Sequence, residues 1–306
     1  MTKPNLCIYH GNCADGFTAA WVVRNALGEE NCDFFEGKYG ESPPIDYHFY
    51  KNIYIVDFSY KRNVLDAISK VQLAYGPESK IIIIDHHKTA QEDLKDLNLP
   101  NVEVHFDMNH SGAMLTWMYF ERTLNPYQAP EVRKDFCNEA PALIKRVEDR
   151  DLWRFKFSDT RTIQANIFSH EYTFENWDKL AATSMEKLAA EGEAIERKHF
   201  KDIKELLAAC QTRATILGHD VPCANLPYIY SSDAGHMMDV GEKFAACYWY
   251  TATHCVFSLR SADDGMDVSE IAKQFGGGGH KHAAGFQIPI DVLPGLEANR
   301  INLFTV

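Results

Sequence analysis

Four consecutive isoleucines, Ile81 to Ile84, run directly into Asp85-His86-His87, and this junction constrains the fold more than any other stretch of the chain. A short β-branched run that is apolar at every position fits a strand buried on both faces, since a sheet with one wet side would show alternation. Residues 6–9 (Leu-Cys-Ile-Tyr) and 53–56 (Ile-Tyr-Ile-Val) repeat the pattern and are followed by His10 and Asp57. Helical spacing predicts helices over 17–27, 114–124 and 141–148, with Pro141 suited to an early helical position. The expected fold class is α/β, its larger domain a parallel sheet covered by helices on both faces.

From 174 to 212 strand signals vanish, and Leu and Ile recur at helical spacing among Lys, Glu and Ala. One or two long helices are expected there as a connector, with Gly192 interrupting or bending the pattern. Strands return at 214–217 and over 246–259, the latter broken near Thr251, with a helix expected around 235–244 between them. A helix over 268–275 meets Gly276-Gly277-Gly278-Gly279, and a strand resumes at 285–288. The predicted division is 1–165, a metal-binding domain, 166–213, a helical connector, and 214–306, a smaller α/β domain.

Composition narrows the function class. The formal net charge of the 306 residues is -12, which disfavours a protein that tracks along a long duplex and favours a short anionic substrate. The apolar runs fall far short of the roughly 20 residues that span a bilayer, so no membrane partner is expected. The N-terminal residues lack the plan of a signal peptide, and the eight cysteines show no paired spacing, so a cytoplasmic protein with reduced thiols is expected.

Open parallel sheets bind ligands beyond their carboxyl edges, so the strand ends carry the chemistry. The first strand supplies His10, Asn12, Cys13 and Asp15, the second Asp57, and the third Asp85, His86 and His87. Asp149, with Asp151 close behind, follows the helix expected to end at Glu148. An aspartate after a strand is often a turn residue or a helix cap, yet four metal-capable groups at successive element ends make that reading improbable for the set. Carboxylates and imidazoles so placed can hold two divalent cations about 3.5–4 Å apart, and mixed His and Asp ligation suits Mn²⁺, Co²⁺, Fe²⁺ or Zn²⁺ better than Mg²⁺. His110 opens a helix nearby, where a place in the N-terminal cap is the favoured reading and substrate binding the other, whereas His48, His170 and His199 are expected on the solvated surface. In the second domain Arg260 ends a strand and could grip a phosphate bidentately. The run ending Gly278-Gly279-His280 could wrap an anion with backbone N–H groups, His280 adding a donor.

These residues resemble the DHH phosphoesterases that carry a DHHA1 domain. Asp85-His86-His87 matches the motif that names the family, residues 10–16 look like its first motif, Asp57 its second and Asp149 its fourth, while Gly276 to His280 with Ala283-Ala284-Gly285 resembles the DHHA1 signature. The resemblance implies a DHH-type domain that binds metal and a DHHA1-type domain that binds substrate. His10, Asp15, Asp57, His86 and Asp149 would be metal ligands, Asp85 and His87 would lie in or just behind the ligand shell, and Arg260 and His280 would bind phosphate. The first motif usually carries two aspartates separated by one residue, and here Cys13, after Asn12, stands where the earlier one is expected. The family covers exonucleases, nano-RNases, cyclic-dinucleotide phosphodiesterases and exopolyphosphatases. The acidic charge and the altered first motif favour inorganic polyphosphate, with short oligonucleotides or cyclic dinucleotides as the alternative. A degenerate, non-catalytic nucleotide-binding protein is the reading from another class.

Overall fold

The three apolar runs are strands, and they lie side by side. The computed structural model describes residues 3–124, 136–291 and 301–303, so Met1 and Thr2, part of the segment read for a leader, lie outside them. The first of two units, Met1–Glu196, contains β1 (Asn5–His10), α1 (Ala14–Leu27), β2 (Cys32–Gly37), β3 (Asn52–Val56), α2 (Arg62–Tyr75), β4 (Lys80–Asp85), α3 (Lys88–Asp93) and β5 (Val102–Phe106). It continues with α4 (Gly112–Leu124), α5 (Phe136–Glu139), α6 (Ala142–Asp151), α7 (Thr160–Ile167) and α8 (Phe174–Ala182). Helix α9 (Met185–Cys210) carries the boundary between the units.

The first sheet has the order β2-β1-β3-β4-β5, every neighbouring pair parallel. Its side chains alternate between two cores. Leu6, Ile8, Ile53, Ile55, Ile81 and Ile83 face Leu65 and Ile68 of α2 on one side. Cys7, Tyr9, Val56, Ile82 and Ile84 face α1, α4 and Trp177 of α8 on the other. Each fully buried isoleucine contributes on the order of 1.5–3 kcal/mol. The register pairs Tyr9 with Val56 and Val56 with Ile84, so the residues that follow emerge together at one edge.

The edge strands β2 and β5 escape the sequence reading because their segments, Cys-Asp-Phe-Phe-Glu-Gly and Val-Glu-Val-His-Phe, mix polar residues with apolar ones, as a half-covered edge allows. Helix α1 starts at Ala14, three residues before the expected 17, which puts Asp15 in its first turn. Helix α6 continues to Asp151, past the expected 148, with Pro141 as its N-cap. Ile163, Ile167, Trp177, Leu180 and Leu188, from the stretch read as connector and its border, lie in the first unit's core. Gly192 does not break α9: a Cβ there would meet the Thr162 carbonyl oxygen at 1.8 Å, so the glycine serves close packing on α7.

The second unit, Arg197–Val306, holds β6 (Gln211–Ile216), β7 (His219–Asn225), α10 (Ser231–Met238), β8 (Ala245–Tyr250), β9 (His254–Arg260), α11 (Val268–Lys273), β10 (Gly278–His280), β11 (Ala283–Pro289) and β12 (Ile301–Leu303). Its sheet, ordered β10-β11-β9-β8-β7-β6-β12, is antiparallel except at β7–β8 and β6–β12. The break near Thr251 is the β8–β9 hairpin, where the Thr251 amide donates to the His254 carbonyl at 2.8 Å. Strand β7 was hidden by Pro222, a residue that argues against a strand. The helix expected at 235–244 lies four residues earlier, and the chain turns through Gly241 at φ 76°. Among the described residues, no helix is long and apolar enough to cross a membrane.

Candidate functional site

Strands β1, β3 and β4 are neighbours, and their carboxyl ends deliver His10, Asp57 and Asp85-His86-His87 to one place. Asp57 follows β3 in a left-handed conformation, φ 52°, that bulky residues avoid, and its amide donates to the Ile84 carbonyl at 2.9 Å. Gly112, the first residue of α4, makes the arrangement possible: a Cβ there would lie 2.4 Å from Asp57 Cβ. Asp15, in the first turn of α1, accepts a hydrogen bond from the Ala113 amide on Oδ1 at 3.2 Å.

Within the first unit two groups of potential ligands result, each with its donor atoms within 4.8 Å of one another: His10, Asp57 and His87, and Asp15, His86 and Asp151. Asp57 joins them. Its Oδ2 is 3.5 Å from His10 Nδ1, and its Oδ1 is 3.0 Å from His86 Nε2. His86 Nε2 also lies 3.7 Å from Asp15 Oδ2 and 3.5 Å from Asp151 Oδ2. Asp85 lies behind the ligands. Its Oδ1 accepts from the His86 and His87 amides at 2.7 and 3.2 Å and pairs with His87 Nδ1 at 2.7 Å, and its Oδ2 accepts from Ser59 Oγ at 2.7 Å. That contact sets the His87 tautomer and turns Nε2 to the far side of the ring.

The electrostatics show what the cluster lacks. Burial pushes Asp15 well above the usual carboxylate range, and Asp57 and Asp151 push it further. Burial would also raise Asp57, but His10 and His86 hold it well below its ordinary value. Burial lowers His87, yet Asp85 more than compensates and lifts it to about 9. Asp15 Oδ2, Asp57 Oδ2 and His10 Nδ1 are buried without a hydrogen-bond partner. Buried, undonated carboxylate oxygens are costly, and converging with imidazoles they fit divalent cations as the missing partner.

Other expected residues are placed differently. Both Asp149 oxygens are occupied: Oδ1 accepts from the Lys156 amide at 2.8 Å, and Oδ2 from the Phe157 amide at 3.2 Å and Thr160 Oγ1 at 2.5 Å. Asp149 therefore ties down the loop after α6, and Asp151, two residues on, faces His86. The reason is helical phase. Leu143, Val147 and Asp151 lie at i, i+4, i+8 on one stripe, a signal that becomes readable once the helix is extended past 148. Asn12 is exposed with φ 54°. Cys13 caps α1 beside the cluster, its thiol raised by burial and by Asp57, Asp151 and Asp15, and neither residue belongs to a ligand group. His110 pairs through Nδ1 with Glu148 Oε1 at 2.7 Å. His199 is partly buried against Asp233 at 3.0 Å rather than simply solvated. Ser59 and Glu148 were assigned no role by the sequence reading, and Asp151 was noted there only as lying close behind Asp149.

In the second unit, His280 and Arg260 both register with Ala283, from opposite sides, so β10, β11 and β9 carry them in one row and on one face. The Arg260 guanidinium is oriented by Ser258 Oγ at 3.0 Å and the Leu259 carbonyl at 2.8 Å, and Nε donates to Ser232 Oγ at 3.4 Å. The glycine run is not one anion-wrapping loop, because Gly278 and Gly279 belong to β10 and pair with Gly285 and Ala284. Gly277 serves close approach: a Cβ there would meet the Gly285 carbonyl oxygen at 2.1 Å.

The chain has relatives among known proteins. Residues 234–300, which include Arg260, Gly278, Gly279 and His280, match the DHHA1 domain. Protein R106 of Acanthamoeba polyphaga mimivirus is 26% identical over 92% of the chain and 66% of its own length, just under two thirds. Oligoribonuclease NrnB of Bacillus subtilis (strain 168) is 22% identical over 93% of the chain and 73% of its own length. Among solved structures, RecJ of Thermus thermophilus in complex with Mn²⁺ shares the fold with a TM-score of 0.54 at 14% identity, covering 98% of this chain and 54% of RecJ. The second unit thus carries the stretch that matches the DHHA1 domain, and the strand-end cluster around Asp85-His86-His87 with that match gives the chain its likeness to the DHH phosphoesterases.

Proposed function

We propose that the chain is a divalent-metal-dependent phosphodiesterase that degrades short oligonucleotides. The observation that carries the reading is Asp57, which offers one oxygen to each of two adjacent ligand groups. His10, Asp57 and His87 would hold one cation, and Asp15, His86 and Asp151 the other, with Asp85 orienting His87. Divalent cations, when bound, supply Lewis acidity toward phosphoryl oxygens and toward an attacking water. Arg260 and His280, sharing a row, would bind the substrate's anionic groups with charge-assisted hydrogen bonds. A relative named as an oligoribonuclease aligns over 93% of the chain, which supports short oligonucleotides as the substrate class.

Inorganic polyphosphate is the second reading, favoured by a net charge of -12. A purely binding protein is disfavoured, because undonated buried carboxylates are a poor way to hold a nucleotide. The deciding experiment compares product release from a dinucleotide, a cyclic dinucleotide and polyphosphate with Mn²⁺, Co²⁺ or Mg²⁺. Cleavage of the linear dinucleotide supports the proposal. Turnover of polyphosphate alone would replace it with the second reading, and tight metal binding with every substrate intact would favour the binder.

A further inference from the structure

His110 is absent from both ligand groups and stands between two partners of its own. Its Nδ1 lies 2.7 Å from Glu148 Oε1, and its Nε2 lies 3.7 Å from Cys137 Sγ in α5. Glu148 Oε1 also accepts from the Ser111 amide at 3.4 Å, which helps fix the carboxylate. A carboxylate on Nδ1–H selects the tautomer in which Nε2 carries the lone pair, and that lone pair faces the thiol. Thiol, imidazole and carboxylate in this order form the arrangement that activates a sulfur nucleophile.

Cys137 is also reachable. Cys7, Cys32, Cys223, Cys247 and Cys255 are buried, while Cys13, Cys137 and Cys210 are partly exposed. The Cys137 thiol also lies 3.6 Å from Met118 Sδ, a weak thioether acceptor, whereas the Cys210 thiol donates to the Leu206 carbonyl at 2.9 Å. Burial and Glu148 raise the Cys137 thiol, with Arg122 acting the other way, so a standing thiolate is scarce. Reactivity at this position therefore requires a base within reach, and His110 is that base.

We infer that Cys137 is a nucleophilic thiol that exchanges with low-molecular-weight disulfides, with His110 as proton acceptor and Glu148 as positioning residue. In the exchange Sγ attacks one sulfur of the disulfide, a new S–S bond forms and the old one breaks. The proton passes from Sγ to His110 Nε2 and then to the departing thiolate. The product is a mixed disulfide on Cys137 and one free small thiol, and no other oxidant is consumed.

The test treats the full chain, stripped of divalent ions, with glutathione disulfide near neutral pH and maps adducts over time by mass spectrometry. Cys137 is expected to be modified ahead of Cys13 and Cys210. His110→Gln and His110→Asn, each checked for folding by thermal melting, should slow that adduct by roughly ten-fold or more. Glu148→Gln should slow it less, and Cys137→Ser should remove it without changing the other rates. Modification of Cys137 no faster than Cys13 or Cys210, or a wild-type rate in both folded His110 variants, would overturn the inference.

Discussion

The two units gather their candidate site residues in opposite ways. In the first, every strand runs in the same direction, so three consecutive carboxyl ends project side chains into one small volume. The result is a cluster whose charges are buried, crowded and short of donors. In the second, adjacent strands mostly alternate direction, and Arg260 and His280 come together by lateral register across three of them. There the guanidinium already has ordered hydrogen-bond partners. A parallel edge concentrates like charge and creates a demand for cations, whereas a register row spreads donors and suits recognition of an anion.

That contrast can be broken most sharply at Asp57. Asp57→Ala should lower turnover on the order of a thousand-fold or more, and calorimetry should show loss of tight divalent binding. Normal activity in that variant would remove the first unit as the reacting centre. Next in size is the pair Asp151→Asn and Asp149→Asn. The first should weaken divalent affinity by roughly 10–100-fold with little change in melting temperature. The second should leave affinity near wild type and cost about 1.5–3 kcal/mol in urea unfolding, because it frees the donors of the loop after α6. A reversal of the two phenotypes would restore Asp149 as a ligand. In the second unit, Arg260→Ala should raise KM roughly ten-fold while kcat changes little, as expected for binding rather than reaction. A large fall in kcat instead would erase the distinction between the units. Gly277→Ala, the mildest, should cost about 1–3 kcal/mol of stability by overpacking against β11, read in the same unfolding assay, with metal binding unchanged.

The legible parts of the fold were the central ones. Strands β1, β3 and β4 are buried on both faces, so their apolar runs announce them. The edges β2 and β5 bury less and read as ordinary mixed sequence. The same asymmetry holds in the site. His10, Asp57 and Asp85-His86-His87 could be found as the residues that end buried runs. Asp151 was visible only as a neighbour of Asp149, because its direction toward the cluster depends on three further residues of helix beyond the expected end of α6. Ser59 and Glu148 act through partners 26 and 38 residues away, which no local pattern encodes. Arg260 and His280 were each visible, but their common row depends on a register set by Ala283.

The left-handed backbone at Asp57 has a consequence for how this protein can change over time. Strain of about 1–3 kcal/mol, together with a buried carboxylate oxygen, Oδ2, that has no hydrogen-bond partner, makes this position one where durability and activity pull apart. A glycine would relax the backbone and remove the charge, giving a sturdier chain without a centre. Selection or engineering for heat resistance alone would therefore drift toward an inert protein. With Asp57 in place, the melting temperature should instead rise with divalent-ion concentration and so act as a gauge of how fully the centre is loaded.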